Sequence, residues 1–321
     1  MNDKQKIAVG GQAVIEGVMM RGPKYIATAI RRKNGLIIIK KDEFVSLTKK
    51  KKFFGIPIIR GFISLVEMMI IGFKTLNFSA EIAIEDEEKN SKKSEKKDGK
   101  LYQFFTYFIA FGLAFLLFVF LPYRIGYWSN IGEKSLIFNL FVGGIRIIFF
   151  VLYILIISFM KDVRRLFQFH GAEHKTVFAY EENPNFVLKD TKKFSTFHPR
   201  CGTSFIMIVM VIAILIFSIF DTTLASLLGN KIPLLHRIFF HLLLLPVISG
   251  ISYEILKFSG KNINHWFVKI FSSPGLALQR ITTKEPDENQ LEVAIYALKA
   301  AMEMQIDLPN VEFLENYGSQ K

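Results

Sequence analysis

The chain of 321 residues has few cysteines and few acidic residues, and each shortage excludes a class of protein. Cys201 is its only cysteine, so no intramolecular disulfide can stabilise the fold. None of its apolar runs lies at the N-terminus ahead of a small-residue cleavage site, so we expect no removable signal peptide. Acidic residues number 28 against 41 lysines and arginines. No recognised nucleic-acid module accompanies this basic excess, so we expect no nucleic-acid partner and assign the charge to anionic lipid headgroups.

Long apolar runs are what the chain does have, and 51% of its residues are hydrophobic. Each of four runs holds roughly 18 to 26 residues, enough at about 1.5 Å per residue to cross a hydrocarbon core of about 30 Å. They are Phe104–Leu121, Leu136–Met160, Thr203–Leu228 and Leu234–Leu256. We therefore predict a mainly α-helical protein, a polytopic membrane bundle of four spans.

A fifth run, Phe53–Phe78, carries Arg60, Glu67 and Lys74 on one helical stripe, which fits an interfacial or re-entrant helix better than a span. Loop charges agree, since residues 1–52 hold 13 basic against 4 acidic residues and the 161–202 loop holds 8 basic residues. The positive-inside rule places both in the cytoplasm. We expect a protein of the cell membrane with both termini cytoplasmic.

The rest of the chain supplies small cytoplasmic segments at both ends. Asn34-Gly35 between β-rich runs predicts a hairpin, and hence a small β-containing segment near the N-terminus. Residues 86–100 are almost all polar, which is typical of a disordered linker. The predicted organisation is a β-containing segment (1–52), an interfacial or re-entrant helix (53–80), a charged linker (81–100), a first transmembrane pair (101–160), a cytoplasmic loop (161–202), a second transmembrane pair (203–258) and cytoplasmic amphipathic helices (259–321). In the last segment we expect one helix over Asn262–Phe271, ended by Ser273-Pro274-Gly275, and a second over Gln290–Met304.

The cytoplasmic loop contains the motif HGAEH, in which His170 and His174 stand four residues apart with Glu173 before the second. On a helix these two imidazoles lie one turn apart on the same face, so one metal ion can reach both. Catalytic zinc takes about three protein ligands and an open position, with a nearby carboxylate as the base. The same string is the inverted zinc-protease motif.

Further donors surround the motif. The stretch from Met160 to Glu181 has no proline, so the second span can continue as a helix past Gly171, which would put Glu181 on the same stripe as the two histidines. His198 and Cys201, separated by Pro199 and Arg200, add an imidazole and a thiol on the same side of the membrane. We predict a divalent metal, zinc first, held by His170, His174 and one or more of Glu181, His198 and Cys201, with Glu173 as general base and Arg200 as a further site residue. The structural alternative is that these side chains only cap helices where they leave the bilayer.

Other polar residues support weaker hypotheses. Gly10–Pro23 is rich in glycine but lacks the Gly-Lys-Ser/Thr ending of a phosphate-binding loop, so its glycines indicate tight turns, with Glu16 and Arg21 as possible site residues. Cys201 as a nucleophile with His198 lacks an identifiable third group. Inside the spans, Arg146, Asp221 and His241 are ionisable, and such residues either form a structural ion pair or mark a pathway.

Four sequence blocks together resemble the YqhQ-like family of bacterial multi-pass membrane proteins. They are GGQAVIEGVMMRGP (Gly10–Pro23), FHGAEHKTVFAYE (Phe169–Glu181), HPRCGTSF (His198–Phe205) and PGLALQRITTKEPDENQLEVAIYALKAAM (Pro274–Met302). The resemblance covers nearly the whole chain in order, and it implies a metal-dependent enzyme without naming a substrate. We expect a metal-dependent hydrolase with a peptidase-like motif at the cytoplasmic membrane surface. The alternative is a non-catalytic transporter or assembly factor with a structural His/Cys/Glu cluster.

Overall fold

A computed structural model describes residues 9–90, 100–131, 136–229, 233–261, 265–306 and 310–314. Within these ranges the strands are β1 (Gly10–Val14), β2 (Gly17–Arg21), β3 (Tyr25–Arg31), β4 (Ile37–Glu43) and β5 (Val311–Leu314). The helices are α1 (Leu47–Lys50), α2 (Ile59–Asn90), α3 (Lys100–Phe115), α4 (Leu121–Trp128), α5 (Leu136–Ile157), α6 (Lys161–Glu182), α7 (Leu188–Thr191), α8 (Gly202–Leu228), α9 (Leu234–Lys261), α10 (Trp266–Thr282) and α11 (Glu288–Ala301), with a 3-10 turn at Lys52–Gly55 and a π-helical turn at Leu116–Phe120. The fold is mainly helical with a small sheet, as predicted.

The sheet joins the two ends of the chain. Strands β1 to β4 pair antiparallel in sequence order, and β5 adds to β4 in parallel. The predicted hairpin is confirmed, since β3 and β4 pair from Arg31 opposite Ile37. Gly35 in the turn has a φ of +86°, a conformation that favours glycine. We predicted separate segments at the two ends of the chain. Because β5 lies beside β4, strands from both segments belong to one sheet.

Both faces of this sheet are covered by helices. In β4, Ile37 and Ile39 pack in one core with side chains of α6 and α11. Ile38 points to the opposite face, where it packs with Phe78 and Ile82 of α2. Side chains alternate between the faces of a strand, so a run of consecutive isoleucines is what a strand buried on both sides requires.

Helix α2 runs to Asn90, so the predicted linker is wrong for residues 81–90, which are helical, while residues 91–99 lie outside the described part of the chain. Packing of Ile82 on the sheet fixes this last part of the helix, and Arg32 holds Asp86 through hydrogen bonds of 2.6 and 2.8 Å. The charges at its beginning also bind protein groups. Arg60 pairs with Glu254 of α9, and Glu67 accepts hydrogen bonds from the Ser46 hydroxyl and the Leu47 amide.

Four helical stretches in the described residues are long and apolar enough to cross a membrane: Phe104–Trp128, Leu136–Ile157, Gly202–Leu228 and Leu235–Ser259. This confirms the predicted number of apolar helices, and α2 is not among them. One expectation about their connections is wrong. The second stretch does not continue into the motif helix, because the chain turns at residues 158–160, where Met160 is extended (ψ 134°), before α6 begins. The turn directs α6 onto the sheet.

The C-terminal helices also differ from the prediction, and residues 262–264 of the first predicted helix lie outside the described part of the chain. Helix α10 continues through Pro274 instead of ending there. A Cβ on Gly275 would lie 2.6 Å from the Ser204 Cα, so this glycine lets α10 pack closely against α8, and that packing offsets the hydrogen bond that the proline removes. Helix α11 is close to its predicted range and begins with a capping box between Asp287 and Gln290.

Candidate metal centre

The motif helix α6 is the centre of the site. It packs against β1, β2 and α11, and Phe169, Ala172 and Val177 lie in the shared core. The same helix carries two polar residues between these core positions. They are His170 and His174, whose ring centroids are 4.5 Å apart. The predicted one-turn spacing of the two imidazoles is therefore what the structure has.

Backbone carbonyls orient both rings. His170 Nδ1 lies 2.8 Å from the Thr282 carbonyl oxygen at the end of α10, and His174 Nδ1 lies 2.5 Å from the Thr196 carbonyl oxygen. A carbonyl can only accept a hydrogen bond, so each Nδ1 carries the proton and each Nε2 keeps its lone pair. Carbonyl or carboxylate partners at the second ring nitrogen are typical of metal-binding histidines.

Cys201 comes from the other side of the site, at the N-cap of α8. Its Sγ is 3.2 Å from His170 Nε2 and 3.1 Å from the Thr203 hydroxyl. Ligand atoms of His170, His174 and Cys201 all lie within 4.8 Å of one another. His174 Nε2 is buried and has no hydrogen-bond partner among the described residues. Two imidazole nitrogens and a thiol in this arrangement fit one transition-metal ion.

Glu173 lies beside these donors and is 6% exposed. Its Oε2 is 3.7 Å from His174 Nε2 and 4.0 Å from His170 Nε2. Burial raises the pKa of Glu173, while the neighbouring His170 ring and a hydrogen bond from the Gly11 backbone act in the opposite direction. A Cβ on Gly11 would lie 3.0 Å from Glu173 Cγ, so glycine here lets β1 cover the carboxylate closely.

The remaining predicted donors lie around this group. His198 is buried, with its ring centroid 5.5 Å from that of His174 and 4.5 Å from that of Phe178. Its Nδ1 accepts a hydrogen bond from the Arg200 amide, and burial together with His174 lowers its pKa to about 3, so the ring is neutral near pH 7. The Glu181 carboxylate is bound by the Arg200 guanidinium instead of facing the three donors.

The two site candidates from the glycine-rich segment have other partners. Glu16, at the β1–β2 turn with a φ of +53°, binds the Arg165 guanidinium. The Arg21 guanidinium lies 4.6 Å from the Phe44 ring centre and 3.0 Å from Met68 Sδ. Burial lowers the pKa of Arg21, with Glu67 acting against this. These contacts fix the sheet to α6 and α2.

Sequence reasoning missed a buried glutamine that closes the site. Gln279 of α10 is fully buried and accepts from the His198 amide at 2.8 Å. Its side-chain amide donates to the His198 carbonyl and to the Ser204 hydroxyl, both at 2.9 Å. It thereby fixes the loop before Cys201 to α10. The signal that could have revealed it is a glutamine on the apolar stripe of a helix.

Close helix approach also depends on Gly171 in the motif. A Cβ there would lie 2.1 Å from the Lys284 carbonyl oxygen. The glycine between the two metal-site positions therefore lets α6 touch the segment after α10, whose Thr282 carbonyl orients His170. The glycine was visible in the sequence, but its partner is 113 residues away.

Comparison with known proteins gives a family and no activity. A family model described as "Protein of unknown function (DUF1385)" matches residues 56–304, which include every donor described above. The uncharacterised protein YqhQ of Bacillus subtilis (strain 168) is 33% identical over 313 residues, which cover 93% of each chain. No solved structure matches the chain.

Proposed function

The chain belongs to the DUF1385 family of proteins of unknown function, and we propose that it is a membrane-embedded hydrolase that binds one divalent metal ion, zinc by preference. The observation that carries the proposal is the convergence of His170, His174 and Cys201 within 4.8 Å, with one imidazole nitrogen buried and unpartnered. A buried polar atom without a hydrogen bond is costly, by about 1–3 kcal/mol, unless something binds it.

The donor set favours zinc. Imidazole suits several transition metals, but a thiolate beside two imidazoles selects against magnesium, calcium and manganese. Three protein ligands leave one coordination position open, as in catalytic zinc sites. When bound, zinc supplies a Lewis acid and lowers the pKa of a coordinated water to about 7.

Glu173 is the residue that moves the proton in this proposal. Its Oε2 faces the imidazole nitrogens at 3.7 and 4.0 Å, and its raised pKa makes it accept a proton more readily than an exposed glutamate does. The Gly11 backbone holds the carboxylate in place. Oε2 takes the proton of the attacking water and returns it to the leaving group.

Two features support the location of the chemistry at the cytoplasmic face of the cell membrane. The four apolar helices have the length and composition of spans. Strand β5 pairs with β4, and an even number of crossings between the two strands is consistent with this pairing. The basic N-terminal segment assigns the side of this sheet to the cytoplasm, next to anionic headgroups.

Metal content tests the proposal. Wild-type protein purified without chelator should carry about one metal ion per chain, and the double variant His170→Ala/His174→Ala should carry none. His236→Ala, which removes an exposed histidine on α9, is the matched control and should keep the metal. Wild-type protein without metal would contradict the proposed site.

Glu173→Gln separates catalysis from metal binding. The amide cannot accept a proton, so the variant should keep its metal and lose turnover on a panel of ester, amide and phosphoester substrates. A wild-type turnover that Glu173→Gln leaves unchanged would contradict the role of this carboxylate. Stoichiometric metal with no turnover on any of these substrates in wild-type protein would favour the non-catalytic alternative.

A further inference from the structure

A second polar site lies within the apolar helices, in a cavity between α4, α5, α8 and α9. Its charged and polar lining includes Arg146, Asp221, Arg237 and His241, together with the Ser218 and Tyr123 hydroxyls. Cys201 and Asp221 are separated by 20 residues along α8, or about 30 Å at 1.5 Å per residue. The cavity is therefore distinct from the candidate metal centre.

The acceptors of this cavity are already engaged. Asp221 is 4% exposed. Its Oδ1 is 3.0 Å from His241 Nε2, and its Oδ2 forms an ion pair with Arg237 Nε at 3.2 Å, without the alignment of a hydrogen bond. The His241 ring also stacks on Phe217, with ring centroids 3.8 Å apart. The single carboxylate of the cavity is thus shared between a histidine and an arginine.

Arg146 is left over. It lies at the middle of α5, and its Nε is buried without a hydrogen-bond partner among the described residues. No carboxylate in that part of the chain forms an ion pair with it, while Asp221 attracts and Arg237 repels it at longer range. The cavity lining therefore holds two guanidinium groups and one carboxylate, so the cavity carries an excess positive charge. A lone charge in such a segment is costly unless a counter-ion accompanies it.

The geometry points to an anion-binding site in this cavity, with Arg146 as the group that binds an oxyanion. A phosphate or carboxylate suits it, because a guanidinium donates in a planar fork that matches such oxygens. The Ser218 hydroxyl can donate in addition. The same chemistry is offered by a free small oxyanion and by the phosphate of a lipid headgroup.

Thermal unfolding of the full-length protein in detergent tests this with inorganic phosphate as the probe. At a phosphate concentration of about ten times Kd, the Tm of the wild type should rise on the order of 2 °C above that in sodium chloride of equal ionic strength. Arg146→Met should lose this rise. Arg124→Met is the matched control, since Arg124 lies over Tyr127 and Trp128 outside the cavity lining, and should keep it.

The Tm without phosphate distinguishes binding from a structural role. If Arg146 serves to bind an anion, the Tm of Arg146→Met without phosphate should equal or exceed that of the wild type, because the variant lacks the unpaired charge. A structural role predicts a lower Tm with the phosphate response intact, and that result would overturn the proposal.

Lipid addition then identifies the source of the anion. A rise in Tm with inorganic phosphate, abolished in Arg146→Met, supports a free oxyanion. A rise only with phosphatidylglycerol, also abolished in the variant, supports a headgroup. No Arg146-dependent rise with either probe would overturn the site.

Discussion

The two ends of α8 differ in the chemical groups that surround them. At the end near Cys201, two imidazole nitrogens, a thiol and a carboxylate come together, and every one of these groups can serve as a donor to a cation. At the other end, around Asp221, the only carboxylate is already engaged and the guanidinium of Arg146 is left over. The first group of side chains can coordinate a cation, and the second carries an unpaired positive charge.

The difference lies in how each site is held. At the metal end, backbone groups orient the side chains: carbonyls fix the rings of His170 and His174, and an amide fixes Glu173. Ligands positioned in this way before binding favour a metal with a set geometry. In the cavity, charged side chains contact one another, so the site is defined mainly by its net positive charge. We expect a selective site at the first end and a site for a chemical class at the second.

Cys201→Ser gives the largest expected effect, and this effect should be confined to the end of α8 near Cys201. A serine hydroxyl replaces the thiol at Sγ, so zinc affinity should fall by more than the roughly 10–100-fold typical of residues that only orient a ligand. Competition with a fluorescent chelator measures it. The phosphate-dependent rise in Tm should persist. Its loss together with the metal would show that the two ends of α8 are not independent.

Gln279→Leu removes a residue that orients the metal end without touching a donor. The His198 amide and carbonyl would lose their side-chain partner, at a cost of about 1–3 kcal/mol each if left unpaired. Zinc affinity should fall about 10–100-fold by the same chelator competition. Gln168→Leu is the control, since its hydrogen bonds of 3.3 and 3.4 Å lie nearer the surface. An equal loss of affinity in both variants would contradict a specific role for Gln279.

Gly171→Ala tests the packing that brings the metal end together. Its Cβ would meet the Lys284 carbonyl oxygen at 2.1 Å, so α6 has to shift, and we expect a loss of about 1–3 kcal/mol in the free energy of unfolding together with weaker zinc binding. Gly144→Ala in α5 meets open space, and it should be neutral or stabilise by up to about 1 kcal/mol. Chemical denaturation compares them, and equal changes would exclude a steric cause.

The smallest expected effect concerns the stability of the fold in acid, which depends on Asp86, a residue outside the candidate metal centre. Burial alone would raise the pKa of Asp86, but hydrogen bonds from Arg32 and the Lys33 amide lower it below its ordinary value. A lowered folded-state pKa stabilises the fold above about pH 4, the unfolded value, and this contribution disappears as the pH falls through the folded value. Asp86→Asn should reduce this acid dependence of the free energy of unfolding and leave metal content at pH 7 unchanged.

The features that the sequence revealed are those set by local spacing. His170 and His174 are one helical turn apart, so periodicity alone predicts their shared face. The Asn34-Gly35 turn has a local signal of the same kind. Gln279 and the carbonyls of Thr196 and Thr282 are brought to the site by long-range packing, and a carbonyl has no signature in a sequence.

The errors have the same origin. Pro274 stays within α10 because contact between Gly275 and Ser204 outweighs the local cost. Residues 86–90 are helical because Ile82 packs on the sheet and Arg32 binds Asp86, although the polar composition of residues 86–100 is typical of a linker. In both places tertiary contacts overrode a local preference.

X-ray absorption at the zinc edge on the purified full-length protein tests the central claim most directly, since it reports the atoms around the metal itself. The arrangement of His170, His174 and Cys201 predicts one bound zinc with one sulfur and two imidazole nitrogens among its ligands, and loss of the sulfur in any zinc retained by Cys201→Ser. A bound metal without sulfur in the wild type, or no bound metal, would contradict the claim.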